Sequence, residues 1–356
     1  MADFSPTIGK IDGIPIQLHW SFILLLVFIL VLTNLYFFVL WVLLFACVLI
    51  HELVHSITSK RNSIKVKKIV LYPFGGGSII DFEKVNPETE FRISIVGPLS
   101  SLLLAVAFGI INIFTPAGIV GTTIQELFIL NVFLGVFNIL PWLPLDGGRA
   151  LRSYLQKKMS YWDATQIAVK VSNAVTVIFM IGIVMYALLY SGNTVFYREF
   201  LVLFSLLIAF FVYSGAQAEY QSAYIKENTK NLKASDAITR NYIFVSPDTK
   251  ISELYNKIIK EKTYMIVFEK DKEFYFLSNV SLQKVLKKTS ASSKVADLGT
   301  RIQSIPYNTN LYTAVERMRF DDQNIAAVVR QNKIIGILLM QHIESIITLH
   351  ISQNKG

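Results

Sequence analysis

Residues 35–58 read LYFFVLWVLLFACVLIHELVHSIT, and this stretch decides the fold. Its first 16 residues carry no charge and are rich in Leu, Val and Phe. A helix that crosses the hydrocarbon core of a bilayer needs about 20 predominantly apolar residues. Further stretches of this kind lie at 17–33, 92–114, 124–141, 164–190 and 200–218. The sequence therefore predicts a polytopic α-helical membrane protein with six transmembrane helices.

The composition of the whole chain supports a membrane protein. Of its 356 residues, 53% are hydrophobic and 17% are charged, whereas soluble chains average about 45–50% and about 25%. This excess disfavours a wholly soluble protein and excludes a disordered one. The single cysteine, Cys47, excludes a disulfide framework and any CxxC zinc or redox site.

Charge divides the chain into two parts. Residues 1–225 hold 14 Lys or Arg against 12 Asp or Glu, a balance of +2. Residues 226–356 hold 20 against 13, a balance of +7. We predict a membrane domain at 1–223, a polar and lysine-rich linker at 224–232, and a charged cytoplasmic region after it. No nucleic-acid recognition motif accompanies the positive charge, so we expect no nucleic-acid partner and an attraction to anionic membrane lipids instead.

The basic residues of the first part lie on alternate connections between the predicted helices. Cytoplasmic loops are enriched in Lys and Arg. The connections between spans one and two, spans three and four, and spans five and six contain only one basic residue, Arg198. The opposite connections carry Lys60, Arg61, Lys65, Lys67, Lys68, Lys84, Arg92, Arg149, Arg152, Lys157 and Lys158. An even number of spans then predicts a multi-pass protein of the cell membrane with both termini in the cytoplasm.

The charged region contains an internal repeat. Residues 233–237 (KASDA) match 294–298 (KVADL), and residues 245–251 (VSPDTKI) match 304–311 (SIPYNTNL). Each copy continues with a helical pattern, two strand-like runs and a closing amphipathic helix. One copy alone would leave apolar faces uncovered. We therefore predict two α+β copies, at 233–289 and 290–352, that pack together; the helical patterns fall at 251–261 and 311–320.

Three residues near the end of the second span carry the strongest chemical signal. His51 and His55 lie four residues apart, so a helix brings both rings to one face. This HExxH spacing lets two imidazoles hold one zinc ion, with Glu52 beside them as a general base for the attack of water. The alternative is a pair of buried histidines and a buried glutamate without a metal, but an unpartnered Glu within an apolar span costs several kcal/mol.

A zinc site of this kind needs a third protein ligand. The candidate is Asp146, in the stretch NILPWLPLDGGR at 138–149. Its two prolines oppose a regular helix, and Gly147 and Gly148 permit tight turns. Irregular backbone at membrane depth is tolerated where it is buried in protein or lines a wet cavity. The alternative is an interfacial loop whose aspartate caps the next helix.

These motifs together resemble the pattern of site-2 proteases, which are intramembrane zinc metalloproteases. The resemblance extends over nearly the whole chain and includes residues 14–19 (IPIQLH), 72–77 (YPFGGG) and 97–99 (GPL). It is closest to six-span prokaryotic members with paired cystathionine-β-synthase (CBS) domains. The resemblance therefore implies a membrane domain with a small interfacial β-element and a cytoplasmic α+β tandem CBS domain.

The same resemblance implies the roles of the site residues. The zinc ligands would be His51, His55 and Asp146, the catalytic base would be Glu52, and Asn138 would donate a hydrogen bond to the substrate or the developing oxyanion. Val54 stands where the family commonly has Gly, which adds bulk beside the motif without removing a ligand.

Two further stretches leave alternatives open. Tyr72–Ile80 is predicted to be a strand followed by a glycine turn, and in the family a strand here is thought to pair with unfolded substrate. An interfacial hairpin that covers the zinc loop is the alternative. His19, at the edge of the first span, is either a gate to the site or an interfacial residue without a chemical role.

Paired CBS domains often bind adenine nucleotides, so ATP or AMP is a candidate ligand. Family copies commonly end in a Gly-x-x-Thr-x-x-Asp pattern, but here the Thr and Asp positions hold Leu339 and His342. In the first copy, residues 277–281 keep a hydroxyl but lack the Asp. A structural module for homodimerisation or substrate docking is therefore the alternative.

The predicted function is intramembrane, zinc-dependent endoproteolysis of membrane-anchored proteins, regulated by the CBS domains. A transporter or channel gated by CBS domains is one alternative, but its ion sites would lie on broken helices at the bilayer midplane. A catalytically inactive regulator that binds membrane proteins is the other, although each expected catalytic residue is present.

Overall fold

A computed structural model of the protein describes residues 5–73, 75–80, 85–189, 195–250, 253–254, 265–277 and 294–353. The chain forms two compact units, Met1–Tyr224 and Ile225–Gly356. Several predicted features lie outside the described residues. They are most of the helix expected at 251–261, the closing helix of the first copy and the 278–281 end of its strand motif.

Helices dominate the first unit. Asn34 and Asn86 cap two of them, because each side chain accepts a hydrogen bond from a backbone N–H of the first turn. The helices are α1 (Trp20–Leu32), α2 (Leu35–Arg61), α3 (Pro87–Phe114), α4 (Ile119–Ile139), α5 (Asp146–Leu155), α6 (Tyr161–Leu189) and α7 (Val195–Asn228).

Among the described residues, five helices are long and apolar enough to cross a membrane, which confirms the predicted α-helical membrane fold. They are α2, α3, α4, α6 and the part of α7 at Leu201–Asn228. The first predicted span is different. Helix α1 has 13 residues and is about 20 Å long, against a hydrocarbon core of about 30 Å. It is shorter than the apolar stretch because residues up to Leu18 form a strand.

A four-stranded sheet accompanies these helices. Its strands are β1 (Thr7–Ile11), β2 (Ile14–Leu18), β3 (Val66–Tyr72) and β4 (Gly75–Ile80), hydrogen-bonded in that order. Strands β2 and β3 are parallel, and the other two pairs are antiparallel. The expected glycine turn is wrong at Gly75–Gly77, because these glycines pair with β3 and belong to strand β4. This strand lies at one edge of the sheet and packs against α2.

The second unit contains a six-stranded sheet. Its described elements are β5 (Ile243–Val245), β6 (Ile266–Lys270), β7 (Glu273–Leu277), β8 (Thr300–Pro306), α8 (Leu311–Phe320), β9 (Ile325–Arg330), β10 (Lys333–Leu339) and α9 (Met340–Gln353). The strands are hydrogen-bonded in the order β10-β9-β8-β7-β6-β5. As predicted, the second copy contains a helix, two strands and a closing helix.

The two copies of the repeat interlock. The first copy's Ala234 donates its backbone N–H to the Thr309 carbonyl of the second copy at 2.8 Å. The second copy's Val295 donates to the Thr249 carbonyl of the first at 3.0 Å. Each repeated Lys-x-x-Asp turn therefore pairs with the other copy rather than with its own. Reciprocal backbone hydrogen bonds therefore join the two copies.

Candidate metal centre

Helix α2 brings His51 and His55 together. Both residues are buried, and their Nε2 atoms lie 3.2 Å apart because i and i+4 are one turn apart on the helix. Each ring is held from the opposite side by α3. The His55 Nδ1 lies 2.6 Å from the Ile93 carbonyl, and the His51 Nδ1 lies 2.9 Å from the Ser101 hydroxyl.

Asp146 completes the cluster from the first residue of helix α5. Its Oδ2 lies 3.0 Å from His51 Nε2 and 3.1 Å from His55 Nε2. The three potential ligand atoms all lie within 4.8 Å of one another. Asp146 thus meets two histidines that lie 95 and 91 positions before it in the sequence.

The hydrogen bonds to α3 determine what this point can bind. A carbonyl oxygen only accepts, so His55 must donate from Nδ1, and a neutral ring then presents the lone pair of Nε2. The Ser101 hydroxyl can fix the same tautomer of His51. Two imidazole lone pairs and a carboxylate oxygen then face one another, and such a set needs a positive charge among them. Two His nitrogens and one carboxylate oxygen are a donor set that zinc accepts.

Glycines make the close approach of these elements possible. A Cβ at Gly97 of α3 would overlap the Nε2 atom of His55, so only glycine leaves the ligand face of the rings open. A Cβ at Gly147 would overlap the carbonyl oxygens of Ile139 and Leu140, and one at Gly148 would overlap the backbone of Leu143. The prediction that Gly147 and Gly148 form tight turns is wrong. They lie inside α5 and allow it to pack against the backbone that precedes it.

Glu52 lies beside the edge strand β4. The Ser78 hydroxyl donates a hydrogen bond to Glu52 Oε2 at 2.7 Å, and the Ser56 hydroxyl in turn lies 3.0 Å from that of Ser78. A Cβ at Gly76 would overlap Glu52 Cγ. Strand β4 therefore leaves space for the Glu52 side chain at Gly76, and Ser78 binds one of the Glu52 carboxylate oxygens.

Two residues singled out from the sequence have local partners. The amide of Asn138 donates to the Leu134 carbonyl at 2.9 Å, and no described hydrogen bond joins it to the three candidate ligands. His19 caps helix α1, where its Nδ1 lies 2.6 Å from the Ser21 hydroxyl, and its ring lies 5.0 Å from that of Tyr72.

Comparison with known proteins decides the family. The sequence matches Peptidase family M50 over residues 39–117 and 115–183, which include the HExxH stretch and Asp146. It is 37% identical over 267 residues to Zinc metalloprotease MJ0392 of Methanocaldococcus jannaschii, an alignment that covers 74% of each chain. The chain belongs to peptidase family M50. This membership confirms the resemblance to site-2 proteases and the prediction of a zinc metalloendopeptidase embedded in the membrane.

The M50 peptidase is also similar to solved structures. It is 36% identical to Site-2 Protease from Methanocaldococcus jannaschii, over 61% of this chain and 95% of that chain, with a TM-score of 0.46. A CBS domain protein from Pyrobaculum aerophilum complexed with AMP is 15% identical over 34% of this chain and 99% of that chain, with a TM-score of 0.29.

A second buried cluster holds the other end of α5 in this M50 peptidase. Arg152 donates to Glu90 of α3 at 2.5 Å and to Glu219 of α7 at 2.6 Å. Its guanidinium also lies over the Tyr161 ring at 5.2 Å. Burial opposes the charged form, but Glu90 and Glu219 together raise the pKa of Arg152 above its ordinary value. The helix that begins with Asp146 is thus tied to three other helices.

Several of these contacting residues were not predicted from the sequence. Gly97 stood in a recognised Gly-Pro-Leu motif, but nothing in the sequence indicated that it faces the histidines. Ser78 follows the glycine run and was included only as part of a strand. Arg152 was counted as a loop charge that reports orientation, although it is buried. The available signal for a buried ion pair was Glu219, which is the single charged residue in the apolar stretch 200–225.

Proposed function

We propose that this chain cleaves membrane-anchored proteins at a zinc ion held by His51, His55 and Asp146. The convergence of two imidazole lone pairs and one carboxylate oxygen supports this assignment most directly. The same atoms would repel one another without a cation. When bound, the zinc ion supplies a Lewis acid that polarises the scissile carbonyl and activates water.

Glu52 is the general base of this proposal. Water attacks the carbonyl carbon of the scissile peptide, Glu52 accepts the proton that the water releases, and the proton passes to the amide nitrogen as the C–N bond breaks. The hydrogen bond from Ser78 keeps one Glu52 oxygen engaged and so orients the carboxylate. Asn138 would supply a donor to the substrate, which requires its amide to exchange the Leu134 carbonyl for the substrate.

Strand β4 supports the substrate class. A transmembrane substrate helix hides its peptide bonds in i→i−4 hydrogen bonds and must unwind before cleavage. Strand β4 ends the described sheet, so one of its edges offers backbone donors and acceptors to an extended segment. Gly76 of this strand contacts Glu52. A substrate segment added to β4 would therefore lie next to the general base.

The second unit is proposed as a regulatory module in the cytoplasm. Its two interlocked copies form a single sheet, which suits a CBS pair. Leu339 ends strand β10, and His342 lies in the first turn of α9. Because leucine has no hydroxyl and histidine has no carboxylate, neither residue supplies the group that is common at its position. We propose that this unit regulates cleavage by binding ATP or AMP, by forming a homodimer, or by both. Purified protein titrated with each nucleotide tests the first.

Replacing Glu52 with Gln tests the catalytic proposal. The variant keeps the size of the side chain and all three zinc ligands, so purified protein should still contain one zinc ion per chain. Cleavage of a membrane-anchored reporter should fall at least about 100-fold, since the general base is lost. Glu88→Gln is the matched control, because Glu88 is exposed at the start of α3 and should change neither quantity. Retained cleavage by Glu52→Gln would exclude the assigned mechanism.

A further inference from the structure

Residues 140–145 connect helix α4 to Asp146 as a non-helical segment, which we call the ligand loop. Its two prolines have no N–H group. Three of its other residues donate their backbone N–H to carbonyls of α4 or of the loop itself. The N–H of the remaining residue, Leu143, is bound by a different helix. Because Leu143 and its neighbour Trp142 are completely buried, their N–H groups need such partners within the protein.

Two hydroxyls of helix α6 bind the ligand loop. The Leu143 N–H donates to Ser172 Oγ at 2.7 Å, and Trp142 Nε1 donates to Thr176 Oγ1 at 2.8 Å. Each hydroxyl in turn donates to the carbonyl four residues before it, at 2.8 Å for Ser172 and 2.9 Å for Thr176. A hydroxyl has one proton, so these bonds leave both oxygens oriented as acceptors for the loop.

Helices α6 and α7 also pack closely around the ligand loop. The Leu143 side chain lies in an apolar cluster with Val169 of α6 and Ala216 of α7. A Cβ at Gly215 of α7 would overlap the ring of Pro144. A displaced loop would therefore meet α7 or leave buried N–H groups without acceptors, which is unfavourable. Packing and hydrogen bonds together hold the loop in one position.

The position of the ligand loop determines the position of Asp146. Asp146 follows Leu143 by three residues, and a Cβ at Gly148 would overlap the Leu143 backbone nitrogen, so α5 packs directly on the loop. The Asp146 Oδ2 lies within about hydrogen-bonding distance of both histidine Nε2 atoms. Protein–metal bond lengths vary by only about 0.2 Å. A small shift of the loop would therefore take this oxygen out of range.

We propose that Ser172 and Thr176 are positioning residues that set the affinity of the candidate metal centre for zinc. They act through the ligand loop, which places the Asp146 carboxylate against the two histidines. This inference rests on the proposed function, because it assumes that His51, His55 and Asp146 hold the metal. The alternative is that the two hydroxyls stabilise the fold without affecting the metal centre.

The test measures the zinc Kd of the purified full-length protein by competition with a chelator of known affinity. Ser172→Ala and Thr176→Val each remove one acceptor, and each should raise the Kd about tenfold. Thr176→Ser keeps the hydroxyl and should restore the wild-type value. Co²⁺ bound in place of zinc should show shifted visible absorption bands in Ser172→Ala and Thr176→Val, because the ligand geometry changes. Thermal unfolding without metal checks that each variant is folded.

Thr165→Val is the matched control. Thr165 lies on the same helix and is fully buried, and among the described residues its hydroxyl bonds only to the Tyr161 carbonyl. The control should change neither the zinc Kd nor the Co²⁺ bands. An equal rise in Kd for Thr165→Val, or a wild-type Kd for both Ser172→Ala and Thr176→Val, would overturn this inference alone. Failure of the wild type to bind zinc would instead overturn the proposed function together with it.

Discussion

Helix α5 carries an ionisable cluster at each end, and the two clusters differ in how their charges are balanced. At its start, Asp146 meets His51 and His55. In its last turn, Arg152 lies between Glu90 and Glu219, and Arg149 lies 3.7 Å from Glu219. The second cluster thus contains two cations and two carboxylates. The first contains only a carboxylate and two rings that present acceptor atoms.

This difference separates a structural cluster from a functional one. A buried charge is tolerated when the protein itself supplies its partner, and the Arg152 cluster meets this condition with atoms of its own chain. With both rings neutral, the histidine cluster meets it only when it binds a cation, either a metal ion or a proton on one ring. Burial and position do not distinguish the two clusters, because both are buried and both join α5 to α3. The hydrogen-bonding roles of the atoms distinguish them.

The largest predicted effect comes from breaking the balanced cluster. Arg152→Met leaves Glu90 and Glu219 buried without their central cation, so the free energy of unfolding should fall by about 3–5 kcal/mol. Thermal unfolding in detergent measures the change. Because the other end of α5 carries Asp146, zinc affinity should fall as well.

Arg92→Met is the matched control for this experiment. Arg92 pairs with Glu88 near the start of α3, but both side chains are more than half exposed. Such a surface pair contributes at most about 1 kcal/mol. Equal destabilisation by the two substitutions would contradict the view that burial makes the Arg152 cluster essential.

The next effect depends on the metal instead of on the protein's own charges. If the histidine cluster needs an external cation, wild-type protein should be more stable with zinc than with a chelator, by about 2.7 kcal/mol at a free zinc concentration 100 times Kd. Asp146→Asn should lose most of this difference, because it removes the charged ligand. Melting curves with and without chelator measure it for each protein.

Glu52→Gln controls for a general effect of substitution at this site. It lies within the same motif but is not a proposed ligand, so its stability should still rise with zinc as the wild type's does. A zinc-dependent increase in Asp146→Asn as large as that in wild type would show that Asp146 does not bind the metal.

Local patterns in the sequence predicted part of the fold and of the candidate site, whereas contacts between distant residues were not predictable. Apolar length predicted six spans, and five helices among the described residues are long and apolar enough to cross a membrane, since hydropathy acts locally along the chain. The HExxH spacing indicated a ligand pair because helix periodicity fixes the positions of His51 and His55. Helix α5 was missed because Gly147 and Gly148 suggested turns, whereas their lack of a side chain allows close packing. Pairings such as Arg152 with Glu219 depend on tertiary structure, 67 positions apart, and no local pattern reports them.

The smallest effect tests how Glu52 is oriented. Ser78 lies 26 positions from Glu52 and reaches it only because β4 packs on α2. Ser78→Ala removes one hydrogen bond to a charged group, worth about 1.5–3 kcal/mol, so kcat should fall by roughly 10- to 150-fold. Zinc content should not change, because no ligand is altered. Ser153→Ala is the control, since among the described residues its hydroxyl bonds only to the Arg149 carbonyl of its own helix. If kcat stays at the wild-type value while zinc is retained, Glu52 is oriented without Ser78. Strand β4 would then contribute only the space that Gly76 leaves for the Glu52 carboxylate.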